Sequence, residues 1–266
     1  MHALETLATG QPRRVVYGQG GPVDIVLPCG GSVEILLEPI DAANLAVENL
    51  LDLHARRLPA MWLTNGSEQE CLAPGEATSS PITLRGSQAL CGEPGPGDDG
   101  FIYRRHDPRR RLIVVGSDPI CLALIDITRA MEFDVVLLRP KGPPSPPPNF
   151  AGQYMTSPAA LALDAIGLDA WTSVVVATHD PINDHDALLA ALPSAAGYVG
   201  LLGARRRLKE KLAELSNAGV ADRDLQRLNA PIGLDIGGRS PWDIAISILG
   251  QVIQNANAAE KSFVWP

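Results

Sequence analysis

The second half of the chain alternates two hydrophobic rhythms. Short unbroken apolar runs, LIVVG (112–116), DVVLLRP (134–140), SVVVATHD (173–180) and YVGLLGA (198–204), are separated by stretches in which apolar residues recur every three or four positions. Continuous Val/Leu runs predict strands buried on both faces, and the slower rhythm predicts helices between them. Helices are expected from Pro119 to about Glu132, near Pro158 to Ile166, around Asp184 to Leu192, from Arg205 to about Asn217, and from Pro241 to about Ala259. Strands alternating with helices make a parallel sheet covered on both sides, the doubly wound α/β architecture.

The first hundred residues follow another pattern. RRVVYG, VDIVLPCGGSVEILLEP and AMWLTNG predict strands, and Asp41 to about Leu58 predicts a helix capped by Asp41, with Leu45 and Leu53 in its apolar stripe. This is a small α+β unit. CGEPGPGDDG (91–100) and KGPPSPPPN (141–149) predict loops, and a basic run, RRHDPRRR, follows the first of them. The expected domains are residues 1–108, small and α+β, and residues 109–266, doubly wound.

Composition narrows the function classes. The chain has 266 residues and is 45% hydrophobic, enough for a folded core. It carries 22 Lys and Arg against 30 Asp and Glu, a net charge of -8, which disfavours nucleic acid and requires any anionic ligand to be held by a local patch. No apolar run is long enough for a membrane span, and the first twenty residues lack the pattern of a signal peptide, so the expected location is cytoplasmic. Cys29, Cys71, Cys91 and Cys121 are widely spaced without a CxxC pair, which signals neither a zinc knuckle nor a disulfide framework.

Candidate chemistry gathers where strands end. In the first βα turn, GSDPIC, Gly116 holds the first place of a GxGxxG fingerprint while Asp118 and Cys121 hold the other two. Asp118 suits a helix N-cap and Pro119 the first helical position, so a carboxylate would occupy the spot that otherwise attracts a pyrophosphate. NAD bound in the usual manner is disfavoured. The next strand ends in Arg139 and Lys141, where an Arg can accept a phosphorylated ribose, although a solvated loop charge is the plainer reading.

Three further clusters stand out. His179 and Asp180 close the third strand, followed by Asp184 and His185, and the spacing leaves capping, proton transfer and metal ligation open. Gly200 and Gly203 precede Arg205 to Arg207, an arrangement suited to an anion or equally to a solvated helix balanced by Glu210 and Glu214. Asp235, Gly237 and Arg239 sit in a Gly-rich loop before a capping box, Ser240 with Asp243. In the first domain Cys29 precedes Gly30 and Gly31; it is either a small buried hydrophobe or an exposed thiol, a soft ligand for molybdenum, copper or transferred sulfur.

Four stretches, LPCGGSVEILLEP, VVVATHDPINDHDALLAAL, YVGLLGARRR and APIGLDIGGRSPWDIAISIL, in this order resemble the XdhC/CoxI family, accessory proteins of xanthine dehydrogenase and aerobic carbon monoxide dehydrogenase. The resemblance implies a Rossmann-like C-terminal domain. It also implies a chaperone without turnover chemistry that binds molybdenum cofactor, assists its sulfuration and delivers it to a molybdenum hydroxylase apoenzyme. The cofactor-binding residues implied are Cys29, Gly30, Gly31, His179, Asp180, Gly200, Gly203, Arg205, Asp235 and Gly237, with Cys29 a candidate thiolate ligand of molybdenum. A sulfurtransferase and a second copy in a homodimer are the other implied partners, and the cofactor would sit in a crevice between domains.

The chain departs from the family pattern in two places. Its N-terminal part is expected to be shortened, and its first βα turn is poorer in glycine, with Arg139 standing where the family often has Asp. Two other readings therefore stay open: an NADP-dependent oxidoreductase using Arg139 for the phosphate and His179 as acid/base, and a ligand-free interaction scaffold.

Overall fold

A computed structural model describes residues 1–18, 30–41, 43–74, 102–203 and 205–262. The chain divides into two compact units, Met1–Pro108 and Arg109–Phe263.

In the first unit, helix α1 (His2–Thr9) leads to an antiparallel pair, β1 (Arg13–Gly18) and β2 (Ser32–Leu37). Helix α2 (Leu45–Ala55) follows, then β3 (Ala60–Thr64), β4 (Gln69–Leu72) and β5 (Ile102–His106), an antiparallel sheet with β3 in the middle. Every residue of β3 is buried, as expected of a central strand carrying AMWLT. Helix α2 is shorter than the sequence suggested, and its cap is Asn44, whose side chain accepts the Val47 N–H at 3.2 Å. Asp41 instead accepts the Ala43 N–H at 2.7 Å, making a turn of its own before the helix. Leu45 is 73% exposed, which corrects its place in the apolar stripe. Ala46, Leu50 and Leu53, spaced by four and three, pack against Ala60, Trp62 and Cys71.

The second unit is the doubly wound sheet. Its strands are β6 (Arg111–Gly116), β7 (Asp134–Leu138), β8 (Gln153–Met155), β9 (Thr172–Ala177), β10 (Tyr198–Leu201) and β11 (Leu228–Asn229). All pairings are parallel, in the order β11-β10-β9-β6-β7-β8. The helices are α3 (Pro119–Thr128), α4 (Ala159–Ile166), α5 (Pro181–Ala191), α6 (Arg205–Asn217), the short α7 (Asp222–Leu225) and α8 (Pro241–Ser262).

The period of two along a strand separates the two faces. Ile113, Val115, Val174 and Val176 pack with Leu163, Leu188 and Leu215 from α4, α5 and α6. Leu112, Val114 and Val175 pack on the other side with Leu124 of α3 and Ile248 of α8. Both faces are buried, so the strands carry no polar alternation. Among the described residues no helix is long and apolar enough to cross a membrane.

The chain order runs outward from β6 to β7 and β8, then returns to β9 on the other side of β6. The two strands that part company at this switch are β6 and β9, and ligands of such sheets bind beyond the carboxyl ends there.

Candidate functional site

The strands on either side of the switch end in the same way. Ser117-Asp118-Pro119 follows β6 and His179-Asp180-Pro181 follows β9, each with Asp as N-cap and Pro in the first helical turn. Asp118 accepts the Cys121 N–H at 2.8 Å. Asp180 accepts those of Ile182 and Asn183 at 2.9 and 3.3 Å. Helix α5 thus begins at Pro181, earlier than expected, because Pro181 supplies the fixed φ of a first turn and Asp180 its cap. Asp184, near which the sequence placed the helix start, accepts the backbone N–H and hydroxyl of Thr178 at 3.2 and 2.6 Å and braces the turn from within.

One side-chain pair crosses the switch. His179 Nε2 lies 2.7 Å from Asp118 Oδ2, joining residues 61 positions apart. The carboxylate is largely buried, at 14% side-chain exposure, and the imidazole is open at 60%. His179 holds φ at +60°, a left-handed conformation that costs a side-chain-bearing residue about 1–3 kcal/mol. The bond to Asp118 fixes the ring over the edge. Gly116 is also held by packing, since a Cβ there would lie 2.3 Å from the Ala177 carbonyl oxygen and 2.7 Å from Cys121 Sγ. Burial pushes the Cys121 thiol far above its ordinary value, with the Asp118 carboxylate adding to it, so Cys121 is a packing residue and no nucleophile.

Beyond β10 the edge opens into a cavity of about 100 Å³ lined by His179, Asp184, Leu201, Leu202, Gly203, Arg207, Leu208 and Lys211. Leu201, Leu202 and Leu208 supply apolar wall. Lys211, only 15% exposed, donates to Glu214 at 2.8 Å and approaches the Pro181 carbonyl at 3.5 Å. The ammonium in turn draws the Glu214 carboxyl below its usual range, chiefly through that hydrogen bond. Arg207 is exposed and makes no ion pair among the described residues. Sequence reasoning missed Lys211, although its spacing of four from Arg207 on a helix is the signal that puts both on one face. A larger hollow of about 560 Å³, lined by Arg111, Phe133 and Asp134, lies at the amino ends of β6 and β7, the edge that doubly wound folds do not use for ligands.

The remaining sequence candidates are placed as follows. Gly200 lies inside β10, where its missing side chain makes room for Ile232, whose Cδ1 would be 2.4 Å from an added Cβ. Gly203 has no heavy atom within 4 Å of an added Cβ and lies open at the cavity. Arg205 is the first residue of α6. Asp235 and Gly237 are exposed in the loop before α8, Gly237 at φ +77°, and no ion pair joins Asp235 to Arg239 among the described residues.

That loop is anchored at its base. Gln251 accepts both the Tyr198 hydroxyl at 2.6 Å and the Gly233 N–H at 2.8 Å. At its end the capping box is formed, Asp243 accepting the Ser240 N–H and Ser240 Oγ the Asp243 N–H. His185 sits in the second turn of α5, its Nδ1 buried without a hydrogen-bond partner. In the first unit Gly30 (φ +72°) and Gly31 are exposed, while Cys29 lies outside the described residues. Among the described residues no three His, Cys, Asp or Glu side chains are grouped to hold a metal ion.

Residues 112–252 match the family described as the XdhC Rossmann domain, and that span covers β6 through most of α8. The chain belongs to the XdhC family. Its relatives include the molybdenum cofactor insertion chaperone PaoD of Escherichia coli (strain K12), 26% identical over 94% of this chain and 68% of PaoD. The uncharacterized protein YqeB of the same organism is 30% identical over 67% of this chain and 34% of its own length. A Bacillus subtilis (strain 168) protein described as a probable xanthine dehydrogenase subunit is 28% identical over 58% of this chain and 45% of its own length. The chain thus spans between about a third and two thirds of these relatives. A crystal structure from Bacillus halodurans described as a xanthine dehydrogenase superposes with a TM-score of 0.68, covering 97% of this chain and 79% of that one at 20% identity, a likeness of fold.

Proposed function

We propose that this XdhC-family chain is a maturation factor that takes up molybdenum cofactor at the carboxyl edge of the six-stranded sheet. It then hands the cofactor to the apo form of a molybdenum hydroxylase of the xanthine dehydrogenase or carbon monoxide dehydrogenase type. The observation that carries the reading is the cavity beyond β10, with a mostly buried Lys211, an Arg207 that makes no ion pair among the described residues, and an open Gly203 set among leucines. Kinship with a protein named as an insertion chaperone supplies the class of cargo.

The chemistry of the cargo suits these groups. Molybdenum cofactor is a polyanionic pterin with a dithiolene and a phosphate, so it needs fixed cations, a flat apolar wall and freedom to leave. Lys211 is held in place by Glu214 and presents a charge with little rotamer freedom left to lose. A cavity of about 100 Å³ takes one end of such a ligand and leaves the rest accessible to a recipient. His179, oriented by Asp118, offers its Nδ1 at the rim. Cys29 is the thiol for molybdenum or for transferred sulfur, with a sulfurtransferase as second partner and self-association as the assembly state. None of these roles requires turnover.

Anaerobic titration of the full chain with cofactor released from a molybdenum enzyme tests the reading. Saturable binding is expected, weakened about tenfold by Lys211→Ala or Arg207→Ala, the usual worth of one hydrogen bond to a charged group. Cys29→Ala is expected to lower activation of the client apoenzyme. No binding at high micromolar concentration, together with unchanged client activation when the chain is omitted, would sink the proposal.

A further inference from the structure

We infer that Arg139 and Lys141 form a binding subsite for a phosphate monoester on the β7 side of the carboxyl edge, separate from the cavity beyond β10. The parallel register pairs Val115 with Leu138, so Arg139 stands one step further on, beside Gly116, in the row of strand ends that continues through Ala177.

Arg139 is not a solvated loop charge. It is half-buried, and its Nε is fully buried without a hydrogen-bond partner. The sealed Nε is out of a ligand's reach, so the donors left for a phosphate are the terminal pair of guanidinium nitrogens, a rigid fork matched to phosphate oxygens. Neither Arg139 nor Lys141 makes an ion pair among the described residues, and Lys141 is exposed. The carboxylate on the neighbouring strand end, Asp118, is committed through Oδ1 to Cys121 N–H and through Oδ2 to His179.

The turn that carries the two cations is fixed on both sides. Arg139 N–H donates to the Met155 carbonyl at 2.9 Å, Gly142 N–H to the Arg139 carbonyl at 2.7 Å, and the Tyr154 hydroxyl to the Pro143 carbonyl at 2.7 Å. A Cβ on Gly142 would stand 2.7 Å from Arg139 Cβ, so the turn folds directly back on the arginine. Lys141 takes a left-handed φ of +59° within it.

A phosphate monoester of this kind has two sources: the 2′-phosphate of NADP and the phosphate of the pterin cofactor. The subsite does not depend on the maturation role. Calorimetric titration of the full chain with NADP⁺, with NAD⁺, and with molybdenum cofactor separates them, each repeated on Arg139→Ala and Arg139→Lys and in the presence of millimolar inorganic phosphate. If the ribose phosphate is the ligand, NADP⁺ binds at least about tenfold more tightly than NAD⁺, and Arg139→Ala abolishes the difference. If the pterin phosphate is the ligand, the two nucleotides do not differ, and Arg139→Ala weakens the cofactor about tenfold while removing competition by phosphate. In either case Arg139→Lys recovers part of the loss, since it keeps the charge and not the fork. Binding of NADP⁺, cofactor and inorganic phosphate that is absent or indifferent to Arg139, with the variants melting as the parent does, overturns the subsite. A chain that fails to bind cofactor yet discriminates NADP⁺ from NAD⁺ refutes the maturation role and keeps the subsite.

Discussion

Removing the Asp118 carboxylate tests how the switch is held together, because it makes two bonds of different worth. Its Oδ1 accepts the Cys121 N–H at 2.8 Å, and loss of such a cap costs about 0.5–2 kcal/mol. Its Oδ2 meets His179 at 2.7 Å, but the imidazole is 60% exposed and screened by water, so that bond contributes only about 0–1 kcal/mol. Asp118→Ala should therefore destabilise the second unit by about 1–2 kcal/mol, a drop of roughly 2–8 °C in melting temperature for a unit of this size. Asp118→Ser restores a cap acceptor without reaching His179 and should recover most of the loss. Calorimetric melting of both variants, with His179→Ala and the double variant closing a cycle, gives a coupling below about 1 kcal/mol between the two residues. If Asp118→Ser is as damaging as Asp118→Ala and the coupling exceeds about 2 kcal/mol, the energy lies in the His179 bond and the capping argument is wrong.

Three other outcomes follow from the same edge. Gly116→Ala should cost more than about 2 kcal/mol, because the new methyl meets the Ala177 carbonyl oxygen at 2.3 Å at a φ of +150°; a melting temperature within a degree of the parent contradicts the packing described. His179→Gly should melt above His179→Ala by the equivalent of about 1 kcal/mol, since only glycine adopts φ +60° without strain, and equal stabilities would show that the turn relaxes. In the capping box, hydrogen bonds from Ser240 and Arg239 hold the Asp243 carboxyl below its ordinary 3.8, so their stabilisation is present above that pH and is lost as pH falls through the lower folded value. Asp243→Asn should flatten the acid limb of a melting-temperature profile, and parallel profiles for the two proteins would refute it.

Legibility in the sequence followed the range of the interaction. The alternation of Val/Leu runs with helical spacing carries the parallel sheet because burial on both faces leaves no polar alternation, and β6, β7, β9 and β10 stand where that rhythm put them. Asp118-Pro119 was readable as a cap because cap and target lie three residues apart. Strand β8 and helix α7 escaped because each is four residues or fewer, too short for either rhythm to repeat. Helix α5 was begun late because Asn183 and Asp184 also look like caps; deciding among them needs Thr178, which occupies the Asp184 carboxylate. The His179–Asp118 pair could not be read at all, since it exists only once β9 is laid beside β6.

The repeated Asp-Pro start explains why an edge of dinucleotide-binding topology would recognise charge by other means. In the usual arrangement the free N–H groups at the start of the first helix face the pyrophosphate. Here those of α3 and α5 on both sides of the switch are turned inward to Asp118 and Asp180. An anion arriving at the centre meets carboxylates and the face of His179. Arg139 and Lys141 at the end of β7 and Arg207 beyond β10, which make no ion pair among the described residues, lie to either side, with Lys211 beside Arg207. Strands in a sheet are about 4.8 Å apart, so three steps put the ends of β7 and β10 roughly 14 Å from one another. Any ligand that uses both must carry its negative charge at its ends and cross the Asp118–His179 pair with a part that is neutral.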